Sequence, residues 1–215
     1  MDSAQAIPVT TREAVVTILS GLRPCVVIEL GAATGDDTDV LWQAAGGETC
    51  RYVAVDPDVD NEAEFLRSHL GKPIHFIHAA ASDRNGLATF HGSFPYRGSG
   101  SIKNPVLHLS EFPDIGFPEY RMAIVPTITL DEIADRFQFE TIDLVWCDVQ
   151  GAEDLVIAGG QKALRRTRWL HTEFYETEIY ERQLNLDGIH KSLPGNWELV
   201  KTCQDDALFR NTDAL

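Results

Sequence analysis

Apolar residues follow two alternating rhythms along this chain. One consists of short β-branched runs without strict polar alternation: Cys25-Val-Val-Ile-Glu-Leu30, Arg51-Tyr-Val-Ala-Val55, Pro73-Ile-His-Phe-Ile77 and Ile142-Asp-Leu-Val-Trp-Cys147. Such runs predict strands buried on both faces, as in a parallel sheet. The other rhythm spaces apolar residues three and four apart. Val15, Ile18, Leu19 and Leu22 predict a helix over residues 11–22, closed by Gly21 and Pro24. Further helices are predicted from Asp36 to Ala45, ended by Gly46-Gly47, and over 62–70, 130–137 and 151–164. Strands are predicted at 123–129 and 168–174, and a closing hairpin pairs 197–203 with 207–210. Strand alternating with helix indicates an α/β fold with right-handed crossovers and a mostly parallel sheet.

One stretch breaks the rhythm. An Arg84-Asn85-Gly86 turn leads into a strand at Leu87–His91, and residues 92–118 are then rich in Gly, Ser and Pro, with aromatics at Phe94, Tyr96, Phe112 and Phe117. Loops this long inside a domain are usually functional lids or disordered. Neither a linker nor a repeat divides the chain, so one domain over 1–215 is expected, with an insertion at 92–120 that caps an acceptor. At 44% hydrophobic and 24% charged residues the composition is ordinary for a globular protein. A chain of 215 residues buries roughly 70% of its unfolded surface, enough for a core without staples.

Eighteen basic against 33 acidic residues give a net charge of −15. That argues against general nucleic-acid binding and against docking on anionic lipid, and its simplest meaning is solubility. A small nucleotide-like ligand remains compatible with it. The four cysteines, Cys25, Cys50, Cys147 and Cys203, are far apart and form neither a disulfide scaffold nor a zinc spacing. Residues 1–12 lack a signal-peptide pattern, and no apolar run approaches the ~20 residues of a membrane span. A soluble cytoplasmic protein is expected, and the sequence says nothing of its oligomeric state.

Chemistry gathers where strands end. Glu29-Leu-Gly31-Ala-Ala-Thr-Gly35 joins the first strand to a helix start, and glycines there let backbone pass close to a ligand. The central glycine of the dinucleotide fingerprint is missing, which speaks against a nicotinamide-dependent oxidoreductase. Asp56 ends the second strand, where an acid accepts hydrogen bonds from ribose hydroxyls. Ser82-Asp83 follows the third. Together these indicate a nucleoside ligand at the carboxyl ends of the strands.

At this point the chain resembles the class I S-adenosylmethionine-dependent methyltransferases of the FkbM type. The resemblance rests on Val27-Ile-Glu-Leu-Gly-Ala-Ala-Thr-Gly-Asp36, Val53-Ala-Val-Asp-Pro57, Ala79-Ala-Ala-Ser-Asp-Arg-Asn-Gly-Leu-Ala-Thr-Phe90, Ser99–Ser101, Val125-Pro-Thr-Ile-Thr-Leu-Asp131 and Ile142-Asp-Leu-Val-Trp-Cys-Asp-Val-Gln-Gly-Ala-Glu153. It implies a Rossmann-like sheet with helices on both faces and a C-terminal antiparallel hairpin. It further implies that Gly31, Ala32 and Gly35 lie against the methionine part of S-adenosylmethionine, with Glu29 supporting its amino group. Asp56 and Pro57 would hold the ribose, Ser82 and Asp83 would border the adenine, and Asp148 would face the sulfonium and the acceptor oxygen. The implied reaction is O-methylation of a small hydroxylated acceptor such as a sugar or natural product.

Two positions depart from the family's usual Lys-x-Asp-Val-Glu-Gly: Trp146 and Gln150. Either they are a compensated swap of a structural ion pair, or they alter acceptor binding, with Trp146 offering a stacking surface. The base that takes the acceptor proton is sought among Asp148, Glu173 and His171. His171, Glu173 and Tyr175 share one face of the fifth main strand. Two carboxylates, Asp148 and Glu173, are a thin basis for a divalent-cation site, so the metal requirement is left open. A degenerate protein that binds S-adenosylmethionine without turnover and an N-methyltransferase are the alternative readings. Arg97 and Lys103 are read either as holding an acidic acceptor or as solvated charges.

Overall fold

The computed structural model describes residues 10–214; most of the segment read above for a signal peptide lies outside them. In chain order the elements are α1 (Thr11–Leu22), β1 (Val26–Leu30), α2 (Thr38–Ala45), β2 (Arg51–Asp56), α3 (Val59–Ser68), β3 (Ile74–His78), β4 (Ala80–Ala81), β5 (Gly86–His91) and α4 (His108–Glu111). They continue with β6 (Met122–Ile128), α5 (Leu130–Arg136), β7 (Ile142–Cys147), α6 (Glu153–Gly159), α7 (Gln161–Arg165), β8 (Thr167–Glu173), α8 (Leu186–Ser192), β9 (Trp197–Cys203) and β10 (Asp206–Asn211). No helix among the described residues is long and apolar enough to cross a membrane.

Seven strands form one sheet in the order β3-β2-β1-β7-β8-β10-β9. The pairs from β3 to β8 are parallel, and β10 runs antiparallel to both β8 and β9. The order reverses between β1 and β7, and ligands of open α/β sheets bind outside the carboxyl ends of the strands at such a point. A second, three-stranded sheet, β4-β6-β5, stands beside it.

Alternation along each strand divides the core. Val27, Tyr52, Ala54, Leu144, Trp146 and Leu208 face α1, α2 and α3 through Val15, Leu19, Leu41 and Phe65. Ile28, Leu30, Val53, Val55, Val145 and Phe209 face α5 to α8 through Ile133, Ile157, Leu164 and Ile189. Both faces of the central strands are therefore apolar, which is why their sequences show no alternation.

The helices begin where local chemistry starts them. Thr10 and Glu13 form a reciprocal capping box on α1. Asp58 accepts from the Asp60 N–H and so starts α3 at Val59, three residues before the predicted onset at Glu62. The helix predicted over 151–164 is two helices. A Cβ on Gly159 would stand 2.2 Å from the Ser82 carbonyl oxygen, and one on Gly160 would stand 2.8 Å from Leu130 Cδ2. The Asp131 carboxylate accepts from the Lys162 and Ala163 N–H groups at 3.0 and 2.7 Å and opens α7 afresh.

Candidate active site

The carboxyl ends of β1, β2 and β7 meet a cavity lined by Glu29, Gly31, Ala32, Ala33, Asp36, Asp37, Asp56, Pro57, Asp148 and Gln150, among others. Gly31 begins the loop after β1 with φ +86°, and a Cβ there would stand 1.7 Å from the Asp148 carbonyl oxygen. The absent side chain is thus what lets the ends of β1 and β7 touch, and Asp148 N–H donates to the Leu30 carbonyl at 2.9 Å. The loop is fastened to the end of β2. The Gly31 and Ala32 N–H groups donate to the Val55 carbonyl at 2.8 and 3.1 Å, and the Ala33 N–H donates to Asp56 Oδ2 at 2.9 Å.

Glu29 and Asp56 form the acidic floor. Glu29 is 1% exposed, and its Oε2 accepts from Thr38 Oγ1 at 2.6 Å and Tyr52 OH at 2.8 Å. Burial outweighs those bonds and raises its carboxyl to about 8. Asp56 Oδ1 accepts from the Asp58 N–H at 2.9 Å and from Asn61 Nδ2 at 3.3 Å; burial raises this carboxyl to about 6.

Beyond the strands stands a second acidic group. Gln150 Nε2 donates to Asp148 Oδ1 and to Glu173 Oε2, each at 2.6 Å. Tyr175 OH donates to Glu173 Oε1 at 2.9 Å. Desolvation raises Asp148 to about 6, and it raises Glu173 well above the carboxylate range, with the neighbouring Asp148 charge adding to it.

Of the residues singled out in the sequence, Glu29, Gly31, Ala32, Asp56, Pro57 and Asp148 line the cavity, and Gly35, Ser82, Asp83, Glu173 and His171 are not among its lining residues. Each of these five has another setting. A Cβ on Gly35 would stand 2.2 Å from the His69 ring, so that glycine answers to the protein's own packing. Ser82 and Asp83 lie against the end of α6 at Gly159, and Ala79, Ala80 and Ala81 take the cavity wall instead. Glu173 reaches the site through Gln150. His171 is 2% exposed and stacks on Trp146 with ring centroids 3.6 Å apart. Its Nε2 lies 3.2 Å from Thr11 Oγ1, and burial lowers its pKa to about 3, so it is a neutral core histidine. Trp146, 5% exposed, gives a face to His171 and not to an acceptor. Arg97 pairs with Glu64, and Lys103 with Asp154 at 2.7 Å, so neither is a free charge for an acidic acceptor.

The sequence reading overlooked Asn61. It lines the cavity at 2% exposure, and its Oδ1 has no hydrogen-bond partner among the described residues. Its signal was its position on the first turn of α3, the helix that follows Asp56. The segment after β5 supplies Tyr96, Arg97, Gly98, Gly100, Ser101 and Ile102 to the cavity wall. Among the described residues no group of three or more His, Cys, Asp or Glu side chains is arranged to hold a metal ion.

A sheet of this order, with only its penultimate strand reversed, has the class I methyltransferase fold, and its acid-lined cavity lies at the switch point. Residues 29–204 match the methyltransferase FkbM domain, and the chain belongs to that family. It is 36% identical over 202 residues to the 2-O-methyltransferase NoeI of Sinorhizobium fredii, covering 87% of this chain and 79% of that protein. The crystal structure of the FkbM methyltransferase from Methylobacillus flagellatus superposes with a TM-score of 0.55 at 14% identity, covering 86% of this chain; this chain spans 43% of that one. The Podospora anserina methyltransferase PaMTH1, solved with S-adenosylhomocysteine (SAH) bound, superposes with a TM-score of 0.52 at 8% identity, covering 94% and 78% of the two chains.

Proposed function

We propose that this chain transfers a methyl group from S-adenosylmethionine to a hydroxyl oxygen of a small acceptor such as a sugar or natural product. Membership of the FkbM family and the likeness to a 2-O-methyltransferase support the reaction type. The observation that carries the reading is Asp148, a desolvated carboxylate on the cavity wall, in backbone contact with the glycine loop. When bound, S-adenosylmethionine supplies an electrophilic methyl group.

The cavity residues fit that molecule. Asn61 Oδ1 is a buried acceptor in want of a donor, and beside Asp56 it suits the hydroxyls of a ribose. Glu29 suits an ammonium, because a cation beside it offsets the cost of ionising a buried carboxyl. Asp148 accepts the proton of the acceptor hydroxyl as its oxygen turns nucleophilic. A carboxyl raised to about 6 is a stronger base than an ordinary aspartate and is still mostly ionised near neutrality. The segment 92–120, with Tyr96 and Ser101 on the cavity wall, caps the acceptor and keeps water from the reacting atoms.

Calorimetric titration with SAH, with NAD as control, tests the cofactor half. SAH binds and NAD does not; failure of SAH to bind refutes the reading. With S-adenosylmethionine and a panel of hydroxylated sugars, Asp148→Asn lowers turnover by about 10²–10⁴-fold, the usual share of a general base, with a much smaller loss of SAH affinity. Equal losses in both would make Asp148 a binding residue.

A further inference from the structure

The turn after β7 is built in an unusual way. Gln150 holds φ +55°, the left-handed region that side-chain-bearing residues rarely adopt. Strain of this kind persists where the surroundings impose it, often at functional sites. Here it sets the glutamine amide between two carboxyl groups, with Nε2 2.6 Å from both Asp148 Oδ1 and Glu173 Oε2. The next residue, Gly151, makes room on the other side. A Cβ there would stand 2.6 Å from Tyr180 Cβ, and Tyr180, fully buried, places its hydroxyl 3.0 Å from Gln150 Oε1 and 2.7 Å from the Ser99 carbonyl oxygen. The amide is thus held from both ends. Its two N–H groups serve two acids, and its oxygen meets a phenol tied to the segment after β5.

No lysine or arginine pairs with Asp148 or Glu173 among the described residues. The groups that act on them are acids and phenols: Asp206 from β10, Asp37 ahead of α2, Glu153 at the start of α6, and Tyr96, Tyr175 and Tyr180, with Asp205 acting on Tyr175. Lys103 acts on Glu153, and Arg12 pairs with Asp37 at 2.7 Å. Two neighbouring carboxyls without a cation do not both ionise readily, so the pair has to share a proton.

We propose that Gln150 is a positioning residue that locks Asp148 and Glu173 into a pair holding one proton, kept on Glu173, with Asp148 presented to the cavity as the anion. One Gln150 N–H donates to Asp148 and the other to Glu173, which also accepts from Tyr175. Asp148 lines the cavity and Glu173 does not, so the acid set away from the cavity keeps the proton and the one that faces it is ionised. The proposal rests on the reading of Asp148 as the base, because it explains how that base is kept ionised in an acidic neighbourhood.

The test needs neither cofactor nor acceptor. The protein is labelled with carbon isotope at its aspartate and glutamate carboxyls and titrated by NMR from mildly acid to mildly alkaline pH. The two signals are assigned by their loss in Asp148→Asn and Glu173→Gln. Near neutral pH, Glu173 reads as protonated and Asp148 as ionised in the wild type. In Gln150→Met the Asp148 midpoint rises by about one pH unit or more, as loss of hydrogen bonds to a charged group requires. Gln150→Glu, which keeps the length and adds a third acid, raises both midpoints. An ionised Glu173 near neutral pH in the wild type overturns the proposal on its own, whether or not the variants fold. An unmoved Asp148 midpoint in Gln150→Met also overturns it and leaves the amide as packing. Failure of SAH to bind would sink the methyl-transfer reading while leaving this titration unchanged, so the two are separable.

Discussion

Replacing Glu29 by Gln should change how stability depends on pH, and the size follows from the site. In the unfolded chain this carboxyl ionises near 4.5; in the folded protein burial lifts it to about 8. Between those values the folded state keeps a proton that the unfolded state has released, so stability falls as pH rises. Glu29's favourable contribution is full below about 4.5 and gone above about 8. The slope is about 1.4 kcal/mol per pH unit, and about 5 kcal/mol across the window. Glutamine has the same shape and does not titrate, and its oxygen still accepts from Thr38 or Tyr52. Urea unfolding of the ligand-free protein at several pH values, extrapolated linearly, gives the stability of each form. The variant should match the wild type near the acid end and gain on it steadily toward pH 8. Asp56 and Glu153, raised to about 6 and 7, slope both curves alike and largely cancel in the difference. Parallel pH dependences would refute the assignment of a buried, protonated Glu29.

Gly35→Ala should destabilise the ligand-free protein by about 1–3 kcal/mol, because the residue is left-handed and its Cβ would enter the His69 ring; an unchanged melting temperature without ligand, together with weaker SAH binding, would instead make Gly35 a cofactor contact. Asp56→Ala should lower both stability and SAH affinity, since it strands the N–H groups of Ala33 and Asp58 and the Asn61 amide at about 1–3 kcal/mol for each group left unsatisfied; loss of binding with an unaltered urea midpoint would show that the ribose role stands alone.

The strands were legible because each buried run is a local statement. Ile142–Cys147 and Trp197–Cys203 end where their residues said they would. The acids at strand ends were legible for the same reason, since a doubly wound sheet sends every strand's carboxyl end to one side. What stayed hidden depends on contacts between distant segments. The split between α6 and α7 is set by Ser82 and Leu130 pressing on Gly159 and Gly160, and nothing in the periodicity of 151–164 announces them. Ser82 and Asp83 were expected at the adenine because they follow a strand, yet β3 ends at His78 and a further short strand, β4, intervenes, so that Ala79, Ala80 and Ala81 line the wall. The glycine loop invited a ligand explanation, whereas Gly31 and Gly35 each answer to protein atoms. Tyr180 reaches Gln150 and Ser99 across 30 and 81 positions, a relation that pattern alone does not carry.

The two departures from the family's motif are resolved by different physics. At 146 a tryptophan stands where the family usually has lysine, and the neighbouring strand answers with His171, stacked at 3.6 Å and within 5° of parallel. The histidine is held neutral by burial, so this position has become apolar packing between the sheet and α1 and asks nothing of the acceptor. At 150 a glutamine stands where the family usually has glutamate, and here no apolar substitute would serve. With no cation beside Asp148, a glutamate would bring a third acid against Asp148 and Glu173, whereas an amide brings two donors. The glutamine therefore keeps the acids here to two and gives each of them one N–H, which is what the proposed sharing of a single proton needs.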